Sequence, residues 1–435
     1  MKTFKEENDD LVNSFINRTF KKGWSEGLPN FEKIELEIGT KCDLKCKYCY
    51  FNRHGEKLYP SAIQNPKTVY ANLEILLDWM VENGYHPEID FFSGEPFAQE
   101  LGFDGIKLIL DKYKSEEKKP RVIVPTNYTF LLSEEKTKRV EDLINYGKEV
   151  GIDVILSASM DGKYCEQNRP FATGEETRNN EYYDKCFKFG KKWGFGFHPM
   201  VYSELIENWK ENFLWFQRNF EKYGIHFFNI YLLEVRNPEW NRKQMRELMN
   251  FIDFLVNWSY EVPCKKDGNN LIDLILQKRG YNILANAFSS TGRGLGCSIQ
   301  ATLMVRLGDL AIVPCHRTSH APFVTGKFKV KNGKIAGIES NNPELMIGEF
   351  SFQSNNSPIC ETCPIKHLCS KGCLGSQFET TGDLFSPIPT VCQMEHAKIY
   401  SLVASLKKIG VYGKIYERLE NDKKASLDTL EEITK

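Results

Sequence analysis

Cys42, Cys46 and Cys49 place three thiols within eight residues, in the stretch Cys42-Asp-Leu-Lys-Cys46-Lys-Tyr-Cys49. The stretch comes directly after the strand-like run Ile34-Glu-Leu-Glu-Ile38. An iron-sulfur cluster of four irons normally takes four cysteines, so a loop that supplies three leaves one iron open to an external molecule. Zinc would want a fourth ligand nearby, and the next cysteine is Cys165. At this cysteine content, three thiols at set spacing arise by chance on the order of once in a hundred such chains.

A second set lies near the other end, as Cys360-x2-Cys363-x5-Cys369-x3-Cys373 with Cys392 downstream and Cys297 and Cys315 upstream. Thirteen cysteines in a chain without an apolar secretion segment fit metal binding better than disulfides, because the cytosol keeps thiols reduced. Thiolate-rich sites suit iron-sulfur clusters and zinc alike, and a pair of zinc sites is the alternative for this set.

The elements that must hold these groups follow from the hydrophobic pattern. Strand-like runs at 34–38, 88–92, 121–124, 153–156, 196–201 and 226–233 alternate with helical periods near 66–83, 103–115, 134–150, 178–193, 205–222 and 240–259. Six such units in a row predict an α/β fold with parallel strands, as an open sheet or a barrel. Residues 1–33 are a lead-in, 34–260 the repeating units and 261–296 a bridge ending in Gly292-Arg-Gly-Leu-Gly296. Residues 297–392 hold seven cysteines with little regular periodicity, so metal must staple them. A helix and charged tail over 393–435 complete the chain. The net charge of -1 and pI near 6.7 give no field for polyanions, so no nucleic acid is expected. No signal peptide and no run of about eighteen apolar residues occurs, so the expected location is the cytoplasm, with no membrane partner.

The C-x3-C-x2-C spacing after a first strand resembles the signature of the radical S-adenosylmethionine (radical SAM) enzymes, and the later set resembles the SPASM extension of radical SAM maturases. The resemblance implies a partial (βα)6 TIM-like barrel followed by a small cysteine-rich iron-sulfur domain. It implies that Cys42, Cys46 and Cys49 hold a 4Fe-4S cluster whose open iron takes S-adenosylmethionine (SAM). An electron from that cluster would cleave a carbon-sulfur bond to a 5'-deoxyadenosyl radical. Tyr48 would lie against the adenine. Ser93, Gly94 and Glu95, in a variant of the Gly-Gly-Glu-Pro motif, would receive the methionyl ammonium. Ser159 would meet the ribose and Arg169 the carboxylate, since a guanidinium offers a fork of donors; Asn127 ends the third strand beside them. By the same resemblance, two auxiliary 4Fe-4S clusters divide the second set. Cys360, Cys363, Cys369 and Cys392 would hold one, and Cys297, Cys315 and Cys373 the other. The second is one ligand short, leaving either an open iron or a place for Cys264. Gly308 and Cys315 match the extension's Gly-x4-Cys element with two extra residues, as in a lengthened hairpin.

These implications lead to oxidative modification of a peptide or protein side chain, by crosslink, thioether formation or dehydrogenation, with an external flavodoxin- or ferredoxin-type electron donor. The alternatives are dehydrogenation or epimerisation of a small molecule such as a sugar or aminoglycoside, or a sulfatase-maturase-like activity. Sulfatase maturases keep an acidic base after the cysteine of the Gly-x4-Cys element, where this chain has His316. That departure counts against sulfatase maturation, although imidazole can take a proton near neutral pH. A scaffold or electron carrier that no longer cleaves SAM is opposed by the intact triad and Ser-Gly-Glu-Pro. His198, Glu234 and Arg236 are polar groups in apolar runs that could face a substrate cavity. Only 33 residues precede the first strand, so substrate recognition is expected from the barrel rim, the auxiliary domain or a separate protein.

Overall fold

The computed structural model describes residues 33–58, 65–92, 94–276, 280–285, 287–288, 302–313, 315–319, 323–340, 357–369, 372–383 and 386–434. Ser93, Cys297 and the glycine-rich end of the bridge lie outside them. The strands are β1 (Lys33–Glu37), β2 (Glu88–Phe92), β3 (Val122–Thr126), β4 (Val154–Ala158), β5 (Gly196–Phe197), β6 (Met200–Val201), β7 (Leu233–Glu234), β8 (Thr302–Arg306), β9 (Ala311–Val313), β10 (Gly326–Lys331) and β11 (Lys334–Ser340). The described residues fall into two units. One draws on 1–159, 169–195 and 298–351, the other on 160–168, 196–297 and 352–435.

In the first unit the strand order is β11-β10-β9-β8-β1-β2-β3-β4. From β8 to β4 neighbouring strands run parallel, and the register puts Ile34 opposite Ile89, Ile89 opposite Val122 and Val122 opposite Val154. This row is one buried face, and Leu36, Phe91, Val124 and Leu156 form the next row of it. The Phe91 ring and the Leu73 side chain both lie against Gly105, so the face packs on the helix Glu100–Tyr113, which in turn meets the helix Pro66–Glu82. Those helices form where the sequence punctuates them: Asn65 caps the first, ahead of Pro66, and Ser133 caps Glu134–Glu149 by accepting from the Lys136 amide. The opposite face of β1 and β2 carries Lys33, Glu35, Glu37 and Asp90. Because the strands are parallel and adjacent, the segments after β1, β2, β3 and β4 all emerge at one edge, where parallel α/β folds keep their chemistry.

The parallel α/β core agrees with the sequence pattern, but residues 302–340 do more than their weak periodicity announced. They continue the sheet, with β8 beside β1 and β9, β10 and β11 added antiparallel. Residues 302–313 form the hairpin that the lengthened Gly308–Cys315 spacing implied.

The second unit is mainly helical. Helices Arg242–Glu261 and Pro389–Ile409 lie together, tied by the Ser401 hydroxyl to the Met249 carbonyl and the Ser405 hydroxyl to Asp253, both at 2.7 Å. Phe213 is its aromatic hub, edge-on to Phe254, Trp258 and Tyr281. The fifth strand-like run is broken into β5 and β6 around Pro199, which lacks an amide donor. The sixth run is corrected more heavily. The Asn229 amide bonds back to the His226 carbonyl at 3.0 Å, Ile230 makes a single parallel bridge to Phe197 of β5, and Leu233–Glu234 pair in parallel with β6. The apolar stretch had read as strand because Phe227 and Phe228 need burial. They are half-buried in a turn, against Trp258 and Tyr281 respectively. Among the described residues no helix is long and apolar enough to cross a membrane.

Leu36 is fully buried between sheet and helices. Leu36→Ala should lower the unfolding free energy by about 2–5 kcal/mol in urea titration. Lys334→Ala, which removes only an exposed pair with Glu82, should leave it essentially unchanged.

Candidate active site

The three-cysteine loop follows β1 and is fastened from both sides. The Lys45 amide donates to the Pro170 carbonyl at 2.7 Å and the Ala172 amide to the Asp43 carbonyl at 2.8 Å. Within the loop the Cys49 amide donates to the Cys46 carbonyl at 3.0 Å. Cys49 lies just before the helix Tyr50–Leu58, where the amides of Phe51 and Asn52 face its sulfur. The Cys42 sulfur accepts from the Leu44 amide at 3.4 Å. Burial above all, with the charge of Glu95 next, pushes the Cys42 thiol far above its ordinary value, and burial raises Cys49 as well. A thiolate at Cys42 therefore needs positive charge beside it, which a bound metal centre provides.

Behind the loop lies a hydrogen-bonded lattice. Asp43 accepts from Asn127 Nδ2 at 2.6 Å and from the Thr129 hydroxyl. Asn127 Nδ2 is also 3.9 Å from the Cys42 sulfur, and Asn127 Oδ1 accepts from the Thr129 amide at 2.9 Å. Glu95, 2% exposed, accepts from the Asn127 amide at 2.6 Å, the Thr126 hydroxyl at 2.7 Å and the Phe97 amide at 3.1 Å. Its own amide donates to the Lys41 carbonyl at 2.8 Å. Burial pushes Glu95 up to about 7 despite these donors, with the nearby Asp43 charge adding to the rise. Gly94 has φ +55°, and a Cβ there would lie 2.3 Å from the Lys41 carbonyl oxygen, so only glycine lets the β2 turn approach the loop this closely.

Arg169 donates to the Tyr48 hydroxyl at 3.1 Å, while Arg178 holds the Arg169 carbonyl at 2.8 Å. Ser159, half-buried, ends β4, and its amide donates to the Thr126 carbonyl at 2.8 Å. The Ser157 hydroxyl, two residues earlier on the same face of the strand, is buried with no partner among the described residues.

His316 follows the hairpin β8-β9. Its ring stacks on Phe92 at a centroid distance of 3.8 Å, and Nδ1 lies 3.1 Å from Glu35 Oε2. Lys33 pairs with Asp90 at 2.6 Å and with Glu35 at 3.5 Å. Burial works against ionisation of Glu35, but His316 and Lys33 outweigh it and hold its carboxyl below the usual range. Asp90, directly opposite Glu35, is pushed up to about 6 by burial. Cys315, half-buried, accepts from the Thr318 hydroxyl at 3.7 Å.

The second unit holds a cavity of about 340 Å³ whose wall includes Cys360, Cys363, Cys369, Cys373 and Cys392, together with Arg236, Glu395 and His396. Cys264 is buried just after the helix Arg242–Glu261 and is not part of that wall. Among the described residues no three His, Cys, Asp or Glu side chains gather around a point where a single ion could sit. Glu234 and Arg236 pair with each other at 3.0 Å. His198 packs against Tyr231, and burial pushes its pKa down to about 4.

Residues 36–156 match the family model of the Radical SAM superfamily. The chain carries a radical SAM domain. It is 21% identical over 398 residues to the radical SAM cyclopropyl synthase TigE of Paramaledivibacter caminithermalis, covering 87% of this chain and 75% of that protein. In fold it is similar to anSMEcpe with bound AdoMet, with a TM-score of 0.55 at 16% identity over 92% of this chain and 99% of that one. It is similar also to anSMEcpe with bound AdoMet and the Cp18Cys peptide, with a TM-score of 0.53 at 18% identity over 88% and 99%. The chain is thus an enzyme whose residues 36–156 match the radical SAM domain, and it is similar in sequence to a cyclopropyl synthase.

Motif reading of the radical SAM domain passed over Asp43, Thr129, Glu35 and Asp90. Asp43 stood inside the motif but between its cysteines, where spacing draws no attention to it. Glu35 had a signal in the alternation Lys33-Ile-Glu-Leu-Glu37, which sends charge to the inner face of a buried strand.

The pH dependence of stability isolates Glu95. Its folded pKa near 7 lies above the unfolded 4.5, so the native state binds more protons between those values and stability falls as pH rises through that window. Glu95→Gln should flatten this fall by roughly 3 kcal/mol in urea titrations at pH 4.5 and 7.5, with Glu37 and Asp90 contributing alike to both proteins.

Proposed function

We propose that this enzyme oxidatively modifies a peptide or protein side chain, closing a crosslink, a ring or a double bond. The reading is carried by the lattice that joins Cys42, Asp43, Glu95, Asn127 and Thr129 at the carboxyl ends of adjacent parallel strands. A three-thiol loop alone could be a metal knuckle, but this one is built into the barrel edge beside a buried carboxylate.

In this reading Cys42, Cys46 and Cys49 hold a 4Fe-4S cluster, an all-thiol donor set that fits it. When bound, the cluster and SAM together supply a 5'-deoxyadenosyl radical that takes one hydrogen atom from the substrate. Glu95 and the backbone at Gly94, with Ser93 before them, receive the ammonium of SAM, and a cation there restores the carboxylate charge that burial suppresses. Arg169 meets the SAM carboxylate, Tyr48 flanks the adenine, and Ser159 and Asn127 line the ribose side. His316, with Nδ1 held by Glu35, presents Nε2 as the atom that accepts the second proton as the new bond closes. Cys360, Cys363, Cys369 and Cys392, with Cys373, Cys297 and Cys315, would hold auxiliary iron, which would supply an acceptor for the remaining electron.

A peptide substrate is favoured because anSMEcpe, of the same fold, is known with a bound peptide. The similarity to TigE, a cyclopropyl synthase, favours carbon-carbon ring closure within the oxidative class. An external one-electron donor of flavodoxin or ferredoxin type would be needed.

Anaerobic reconstitution should load about twelve irons per chain and form 5'-deoxyadenosine from SAM with dithionite. Four irons accompanied by zinc would refute the auxiliary clusters, and absence of 5'-deoxyadenosine would refute the catalytic reading. Asp43→Ala removes the carboxylate that accepts from the Asn127 side-chain amide and leaves the Thr129 hydroxyl only Asn127 Oδ1 at 2.7 Å, a loss of about 1–3 kcal/mol, and should reduce the iron retained by the first cysteine set. His316→Gln should leave SAM cleavage intact while slowing product formation about 10²-fold or more.

A further inference from the structure

The wall of the cysteine cavity contains a group that is not one of the expected ligands. His396 Nε2 lies 3.4 Å from the Cys363 sulfur, and His396 sits one helical turn after Cys392 in Pro389–Ile409, so both side chains reach the same cavity. That helix face is held in place by a buried charge quartet. Lys398 Nζ is 2.7 Å from Glu234 and 3.0 Å from Glu395. Arg236 binds Glu234 at 3.0 Å and approaches Glu395 to 3.9 Å. Two cations meet two anions, which is what makes their burial tolerable. The Arg236 carbonyl in turn accepts from the Ser376 hydroxyl at 2.6 Å. The helix therefore cannot rotate His396 away from Cys363 without breaking buried ion pairs. Arg236 also lines the cavity, close enough to Cys369 to interact electrostatically with it.

We propose that His396 is a positioning residue for electron transfer: its Nε2–H donates to the Cys363 sulfur and raises the reduction potential of the iron-sulfur centre held in this cavity. The inference rests on the reading of these cysteines as cluster ligands given above. Hydrogen bonds to cluster sulfurs stabilise the more negative, reduced form and so shift the potential upward. The step served is a one-electron transfer. The substrate-centred radical is oxidised by one electron and loses one proton to a base, the centre is reduced by one electron, and an external flavodoxin- or ferredoxin-type carrier removes it. A centre of higher potential draws that electron more strongly.

The test uses the full-length chain with Cys42→Ala, Cys46→Ala and Cys49→Ala, so that only the second set holds iron, reconstituted anaerobically and titrated potentiometrically by EPR. His396→Phe keeps a ring and removes the donor; His396→Gln restores an N–H. At the midpoint potential of the parent, the ratio of reduced to oxidised centre should drop about tenfold in His396→Phe, ~59 mV for one electron, and stay within about threefold of the parent in His396→Gln. An unchanged or higher midpoint in His396→Phe overturns the proposal. Iron lost from His396→Phe alone overturns it as well, by making His396 a ligand. A parent protein that binds zinc or no iron overturns instead the cluster reading on which the inference rests.

Discussion

The buried carboxylate of Glu95 is the joint on which the first unit turns. It accepts from the end of β3 and from the turn after β2, while its backbone amide grips the loop after β1. Three segments distant in sequence are thus referred to one group at the sheet edge. An unpaired carboxylate here would be severely penalised. The three donors make it tolerable, although burial still outweighs them and raises its pKa. Gly94 is the geometric condition for that joint, because a side chain would collide with the loop backbone.

The same economy governs the second unit. Glu234, Glu395 and Lys398 are buried and, with the partly buried Arg236, form a neutral quartet that locks one helix face against the strand end at Glu234. Such a set contributes little net stability compared with a packed apolar core. Its value lies in geometry, since deleting one member leaves an uncompensated charge and the remaining three cannot adopt another arrangement cheaply. Both units therefore fix their chemistry-bearing thiols with buried polar lattices instead of with aliphatic packing alone.

How much of this could be read from the chain depended on range. The cysteine spacings, the helices 66–82, 134–149 and 180–193 and the strands β1 to β4 follow from local pattern and caps, and were legible. Glu234 and Arg236 were recognisable as costly if buried, but their partner Lys398 is far along the chain and carries no motif. Residues 302–340 looked irregular because β9 is only three residues long and buried throughout, while the buried-exposed alternation of β10 gives way to an exposed end. Their place in the sheet is set by pairing with β1, a tertiary constraint that no window of sequence contains. Phe227 and Phe228 misled in the opposite direction, since apolar content alone does not separate a strand from a half-buried turn.

The position of β1 has a consequence for how the molecule comes into being. It is flanked by β2 on one side and β8 on the other, with Leu36 opposite both Phe91 and Val305. During synthesis the β2 side can close early, but the other edge stays open until residues 302–306 leave the ribosome, after most of the chain. A nascent chain with an unpaired, apolar, parallel-type edge is a template for wrong partners. Sheet completion in this protein is therefore a late, long-range event, and yield in a cell will be governed by what shields that edge while translation proceeds.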